Sequence, residues 1–264
     1  MSREVKFSLC LLSFLLLGYV RAHSTVIIMN GLSHEHILGS TNEVRGYVEL
    51  KNTGRSLERV VFYLNDLENQ CASGQLLYQQ LGENPRSLAE HLHISATEYT
   101  LQPNEVYRLG YSITGLGLES KTGSFWSVLM IELAEPINTK KQQAFQINSK
   151  VRYAVQLIAN VGEKQAESLS FAQVEFDEEN PSLLKVRMKN DGLFSLKSKV
   201  NIEVFDANGT KIFSENSAFK RLYPLNCNLY TFDLSALPKG KYDGVLVADT
   251  GTNLFGTNFN VELE

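Results

Sequence analysis

Apolar and polar side chains alternate along most of the chain after residue 23, and a period of two marks strands with two unlike faces. The longest such run is residues 142–158. From Phe145 onward, Phe145, Ile147, Ser149, Val151, Tyr153 and Val155 fall on one face, and Gln146, Asn148, Lys150, Arg152, Ala154 and Gln156 on the other. Strands usually hold about 5–6 residues. A run this long predicts a strand that closes one sheet and leads the chain toward a second domain. Upstream, residues 44–52 place Val44, Gly46, Val48 and Leu50 on one face and end at Asn52-Thr53-Gly54, a turn sequence. Residues 57–64 predict the next strand, and residues 95–113 predict strand, turn and strand around Pro103-Asn104-Glu105. Residues 124–133 form a strongly apolar strand holding the only tryptophan, Trp126. Residues 65–94 are mostly polar and predict loop, with short helix at 74–80 or 86–91. The short apolar pair Ile37 and Leu38 lies among loop residues such as Gly31, Ser33 and Gly39.

After residue 168 the alternation resumes. Strands are predicted at 169–177, 183–190, 199–206, 211–219, 229–234, 242–249 and 258–263, punctuated by Asn190-Asp191-Gly192, Asn208-Gly209 and Lys239-Gly240. About seven strands in each half is the count of an immunoglobulin-like sandwich. The fold class is therefore all-β: two tandem immunoglobulin-like β-sandwich domains, at 23–159 and 169–264, joined by a polar linker at 160–168.

The first residues change the picture of where the chain works. Arg3 and Lys6 precede an apolar run, residues 7–20, and Val20-Arg21-Ala22 comes next with fairly small residues at the −3 and −1 positions. This pattern predicts a secretory signal peptide at residues 1–22, too short for a span of about 20 residues. No later stretch is apolar enough to cross a bilayer. The formal charge is −4, and it becomes more negative when Arg3, Lys6, Arg21 and Glu4 leave. That balance speaks against nucleic acid or anionic lipid as partner. The mature chain keeps Cys71 and Cys227, which fall in different predicted domains; two free thiols and an inter-domain bridge both stand open.

The segment around Ser124-Phe125-Trp126, the turn at 50–54 and the long strand through Lys150-Val151-Arg152-Tyr153 together resemble the periplasmic pilus (PapD-like) chaperones. The resemblance spans most of the mature chain as architecture and about a quarter of it as motif. It implies two immunoglobulin-like domains set in an L. It implies that the long strand is lent to the incomplete sandwich of a secreted subunit, with Phe145, Ile147 and Ser149 as donor-strand residues. It also implies that Lys150, assisted by Arg152 on the same face, anchors the subunit's terminal carboxylate. Strand addition has a plain physical basis: main-chain hydrogen bonds supply affinity and alternate side chains fill pockets. This chain departs from the family in having Arg152 at an apolar position, no Arg or Lys between His23 and Glu43, and Ala154-Val155 where Arg-Pro is usual.

Other chemistry finds little footing. The pairs His34-x-His36 and His91-x-His93 each share a face if extended, as a metal chelate requires. Both lie in loop-like stretches with no third ligand at fixed spacing, so exposed surface is the reading and no metal or other cofactor is expected. No nucleophile elbow, zinc-hydrolase motif, phosphate loop or dinucleotide fingerprint occurs, so no catalytic residue is assigned. Phe145 and Ile147 have a second reading as core residues, and Lys150 and Arg152 as solvated strand residues. The expected function is an exported, non-enzymatic chaperone-like protein of the periplasm or cell envelope that binds an exported or surface subunit along 143–152. The alternative is a structural or adhesive surface protein, in which Tyr99, Tyr107 and Tyr111 would make a carbohydrate platform.

Overall fold

A computed structural model describes residues 25–39, 43–115, 117–118, 121–134 and 150–263. The stretch read as a signal peptide, and Phe145, Ile147 and Ser149, lie outside the described residues.

The first half holds β1 (Val26–Ile28), β2 (Ser33–Leu38), β3 (Glu43–Asn52), β4 (Glu58–Asn69), β5 (Leu76–Gln79), β6 (Leu92–Ile94), β7 (Glu98–Leu101), β8 (Val106–Thr114), β9 (Gly123–Leu133) and β10 (Arg152–Val161). One sheet has the order β1-β3-β8-β6; the other runs β2-β10-β9-β4-β5, with β7 on β4. The second half holds β11 (Leu169–Phe176), β12 (Leu183–Asn190), β13 (Leu196–Phe205), β14 (Lys211–Asn216), β15 (Lys220–Leu222), β16 (Cys227–Asp233), β17 (Gly240–Asp249) and β18 (Leu254–Leu263). Its sheets are β11-β12-β16 and β14-β13-β17-β18, with β15 on β13. This is an all-β chain of two immunoglobulin-like sandwiches, and among the described residues it has no helix.

The alternation explains the cores. In β3, Val48 and Leu50 turn inward to meet Leu109 and Ile113 of β8 and, from the facing sheet, Phe62, Leu129, Val155 and Leu157. The second core is built the same way from Val186, Met188, Val200, Ile202, Tyr230 and Leu246. Each buried aliphatic or aromatic side chain of this kind contributes about 1.5–3 kcal/mol. β9 breaks the alternation because both its faces are covered. Phe125, Leu129 and Ile131 face the first core, whereas Trp126, Val128 and Met130 join Leu67, Ile158 and Tyr223, the last from the second sandwich. A near-continuous apolar run is what a strand buried on both faces requires.

The polar stretch at 65–94 does not form helix. β4 runs on to Asn69, and β5 pairs with its last four residues. Asp66, fully buried, organises the segment between β5 and β6. Its carboxylate accepts hydrogen bonds from the Gly82 and Asn84 amides at 2.8 and 3.0 Å, and from the Ser87 and Ser127 hydroxyls at 2.6 and 2.9 Å. A buried carboxylate is stable only when its lone pairs are met in this way.

Candidate functional site: the cleft between the sandwiches

The outer face of β10, β9 and β4 meets the second sandwich through polar, aromatic and covalent contacts. The Trp126 and Tyr223 rings stack with centroids 4.4 Å apart, and Trp126 Nε1–H donates to the Leu67 carbonyl at 2.9 Å. The Ser124 amide donates to the Leu193 carbonyl at 2.8 Å, and the Ser195 amide donates to Ser124 Oγ at 2.7 Å. Gly123 makes this approach possible. Its φ is +113°, and a Cβ there would lie 2.3 Å from the Leu193 oxygen. Arg221, on β15, reaches across: its guanidinium donates to Glu35 at 3.1 Å, Ser195 Oγ at 2.9 Å and Ser33 Oγ at 3.2 Å. Asn160 Nδ2 holds the other Glu35 oxygen at 2.7 Å. A disulfide joins Cys71 to Cys227, so the bridge left open by the sequence is formed.

Beside this junction is a cavity of about 280 Å³, lined by Asn69, Leu76, Gln156, Lys220, Arg221 and Tyr223 among others. Its polar groups are poorly matched. Asn69 and Tyr223 are only 4% and 1% exposed, yet the Asn69 amide and the Tyr223 hydroxyl find no hydrogen-bond partner among the described residues. Burial pushes the Tyr223 phenol well above its ordinary range and lowers the Lys220 ammonium. Next to the cavity, β5 forms the edge of its sheet and exposes Leu76, Leu77 and Tyr78. Nothing in the sequence marks this edge, because a four-residue strand inside a polar stretch has too little alternation to read.

Arg152 opens β10 and Lys150 stands two residues before it, and both grip Glu132 of β9. Lys150 Nζ lies 3.1 Å from one carboxylate oxygen and Arg152 Nη2 2.6 Å from the other. The Tyr63 hydroxyl also donates to Glu132, at 3.0 Å. The hydrogen bonds from Arg152, then from Lys150, hold the Glu132 carboxyl below its ordinary range. Two cations on one carboxylate leave an excess positive charge, and the cations are 61% and 49% exposed while Glu132 is only 16% exposed. β10 pairs with β9 from Arg152 to Val161, while its parallel ladder with β2 covers 156–161.

The histidines divide. His34 and His36 lie on β2, not in a loop, and both reach the Tyr111 hydroxyl, at 2.9 and 2.8 Å. Burial, and then the neighbouring His34, lower the His36 imidazole; burial pushes the Tyr111 phenol up to about 12. Tyr111 is a core residue. Tyr99 and Tyr107 stack on each other at 3.7 Å and pack against the same core, so the three tyrosines form no exposed platform.

No protein-family model matches the chain, and no curated protein does. Solved structures do. The YadV chaperone is 12% identical and aligns over 90% of this chain and 100% of its own, with a TM-score of 0.50. A chaperone–tip adhesin complex of CFA/I fimbriae biogenesis aligns at 9% identity over 91% and 99%, with a TM-score of 0.48. The class 5 fimbriae chaperone CfaA aligns at 10% identity over 90% and 99%, with a TM-score of 0.46. At such identities the YadV likeness establishes the fold. The resemblance seen in the sequence therefore holds at the level of fold: this chain has the two-sandwich architecture seen in the YadV chaperone.

Proposed function

We propose that this chain is an exported, non-enzymatic chaperone that holds a secreted pilus or surface subunit by β-strand augmentation. The subunit lies along 143–152, with Phe145, Ile147 and Ser149 as donor residues, and its terminal carboxylate is held by Lys150 and Arg152. The linker read at 160–168, whose first two residues belong to β10, then separates a subunit-binding domain, 23–159, from a supporting domain, 169–264, and the chain works in the periplasm or cell envelope. The observation that carries this reading is the carboxylate clamp. Lys150 and Arg152 already grip a carboxylate of their own chain, and an arginine fork with an adjacent lysine suits a chain terminus equally well. The fold shared with the YadV chaperone supports it. So does the cavity, whose amide, ammonium and phenol groups are suited to peptide.

The test is affinity capture from native envelope extract, comparing the wild type with Phe145→Asp/Ile147→Asp and with Lys150→Ala/Arg152→Ala. Each variant is first shown to be folded, by a β-sheet circular dichroism spectrum and a cooperative melt. An exported subunit retained by the wild type and lost from both variants supports the proposal. The same partners on all three proteins, or none on any, refutes it. No specific observation favours the adhesive alternative.

A further inference from the structure

We propose that His34, His36 and Tyr111 form a binding site for a divalent cation of the zinc–copper type. His34 and His36 are two residues apart on β2, so their rings leave the strand on one face. The sequence offered no third ligand at fixed spacing; the fold supplies one from β8 of the facing sheet. Nδ1 of His34 and Nε2 of His36 converge on Tyr111 Oη, at 2.9 and 2.8 Å, and the ring centroids lie 5.9 and 5.7 Å from that of Tyr111.

Three features go beyond a chance contact. First, the far nitrogen of His34, Nε2, lies 3.2 Å from the Asn30 carbonyl. Donation to that carbonyl fixes the ring and leaves the Nδ1 lone pair aimed into the cluster, the arrangement that holds metal-binding imidazoles in place. Second, residue 46, beneath the Tyr111 ring, is glycine. A Cβ there would lie 2.4 Å from Tyr111 Cζ, so the phenol reaches the histidines only because that side chain is missing. Third, both histidines are only half-buried, which leaves a path from solvent and room for water to complete the coordination.

The donor set decides the class of ion. Two imidazole nitrogens and a phenol oxygen suit zinc, copper or nickel; calcium and magnesium need several carboxylate or carbonyl oxygens. Glu35, the nearest carboxylate on the strand, points to the other face and is taken by Arg221 and Asn160. Among the described residues no group of three or more His, Cys, Asp or Glu could hold a metal ion, so this site depends on Tyr111 as its third ligand. An ion here ties β2, the edge strand of its sheet, to β8 of the facing sheet and so secures the strand that pairs with β10. The inference does not depend on the chaperone reading.

The test is calorimetric titration of the full chain with Zn²⁺ in a chelator-free buffer at about neutral pH. One saturable site is expected, weakened at least tenfold in His34→Asn and in His36→Asn, less in Tyr111→Phe, and unchanged in His93→Asn. Mg²⁺ and Ca²⁺ should give no saturable heat. Substitution on β2 risks loosening the strand, so a second measurement uses the unaltered chain. Its Cu²⁺ complex should show electron-paramagnetic hyperfine structure from two imidazole nitrogens. The proposal is overturned by the absence of saturable Zn²⁺ binding, by wild-type binding in His34→Asn, His36→Asn or Tyr111→Phe, or by a copper spectrum without two nitrogen ligands.

Discussion

Two buried tyrosines, each reduced to phenylalanine, should move stability in opposite directions. Tyr230 lies in the second core and its hydroxyl donates to the Ser198 carbonyl at 2.9 Å. Tyr223 is equally buried, and its hydroxyl has no partner among the described residues. Both substitutions keep the ring, so the Trp126 stack and the core packing survive. For Tyr230→Phe the loss is a satisfied hydrogen bond, about 1 kcal/mol. For Tyr223→Phe nothing is lost and a desolvated hydroxyl is removed, a gain of about 1 kcal/mol at the lower end of what an unmet buried donor costs. The two variants should differ by about 2 kcal/mol, which at roughly 2–4 °C per kcal/mol for a chain of this size is about 4–8 °C in melting temperature. Scanning calorimetry at one pH, with urea midpoints as a check, measures it. Tyr223→Phe melting at or below Tyr230→Phe would refute the reasoning. Tyr223 also borders the cleft cavity, so if the proposed function holds, the stabler variant should retain a bound subunit less well.

The disulfide closes a loop of 156 residues, for which chain entropy gives a ceiling of about 5 kcal/mol. Cys71→Ser/Cys227→Ser should therefore melt clearly lower and separate into two transitions, and an unchanged single transition by calorimetry would sink this expectation. At Glu132 the sign comes from the depressed folded pKa. The clamp's contribution is full above the unfolded value of about 4.3 and is lost as pH falls through the lower folded one. Carboxyl-carbon NMR should place the Glu132 midpoint below that unfolded value, and a midpoint at or above it would contradict the clamp.

Much of the fold is legible because burial on one face writes itself as alternation. Alternation predicts a strand at residues 183–190, and β12 spans Leu183–Asn190. Where polar residues are buried by hydrogen bonding instead, the pattern fails. The apolar code of β4 stops at Leu64 because Asp66 and Asn69 interrupt it, though both are buried. β10 runs on to Val161 because Asn160, polar in sequence, is held by Glu35. β2 reads as loop because only Ile37 and Leu38 are apolar; its parallel ladder with β10 joins residues more than a hundred positions apart, and local pattern carries no trace of such a pairing.

The cleft is harder to see for the same physical reason, with one exception. The near-continuous apolar run of β9 is the signal that a second surface covers its outer face, and Trp126, Val128 and Met130 on that face are the residues that meet Tyr223. A strand with one solvated face has no need of such a run. Tyr223 itself comes just after β15 and precedes Pro224, with nothing around it to mark a docking residue. The polarity of Lys150 and Arg152 is visible in sequence, but their engagement with Glu132 is not, since that pairing depends on the antiparallel register that sets Arg152 opposite Glu132. Register is fixed by the whole buried face of a sheet at once. A site assembled across strands thus becomes readable only when the faces around it are known, as the cluster of Tyr111 with His34 and His36, on the strand that also carries Glu35, shows again.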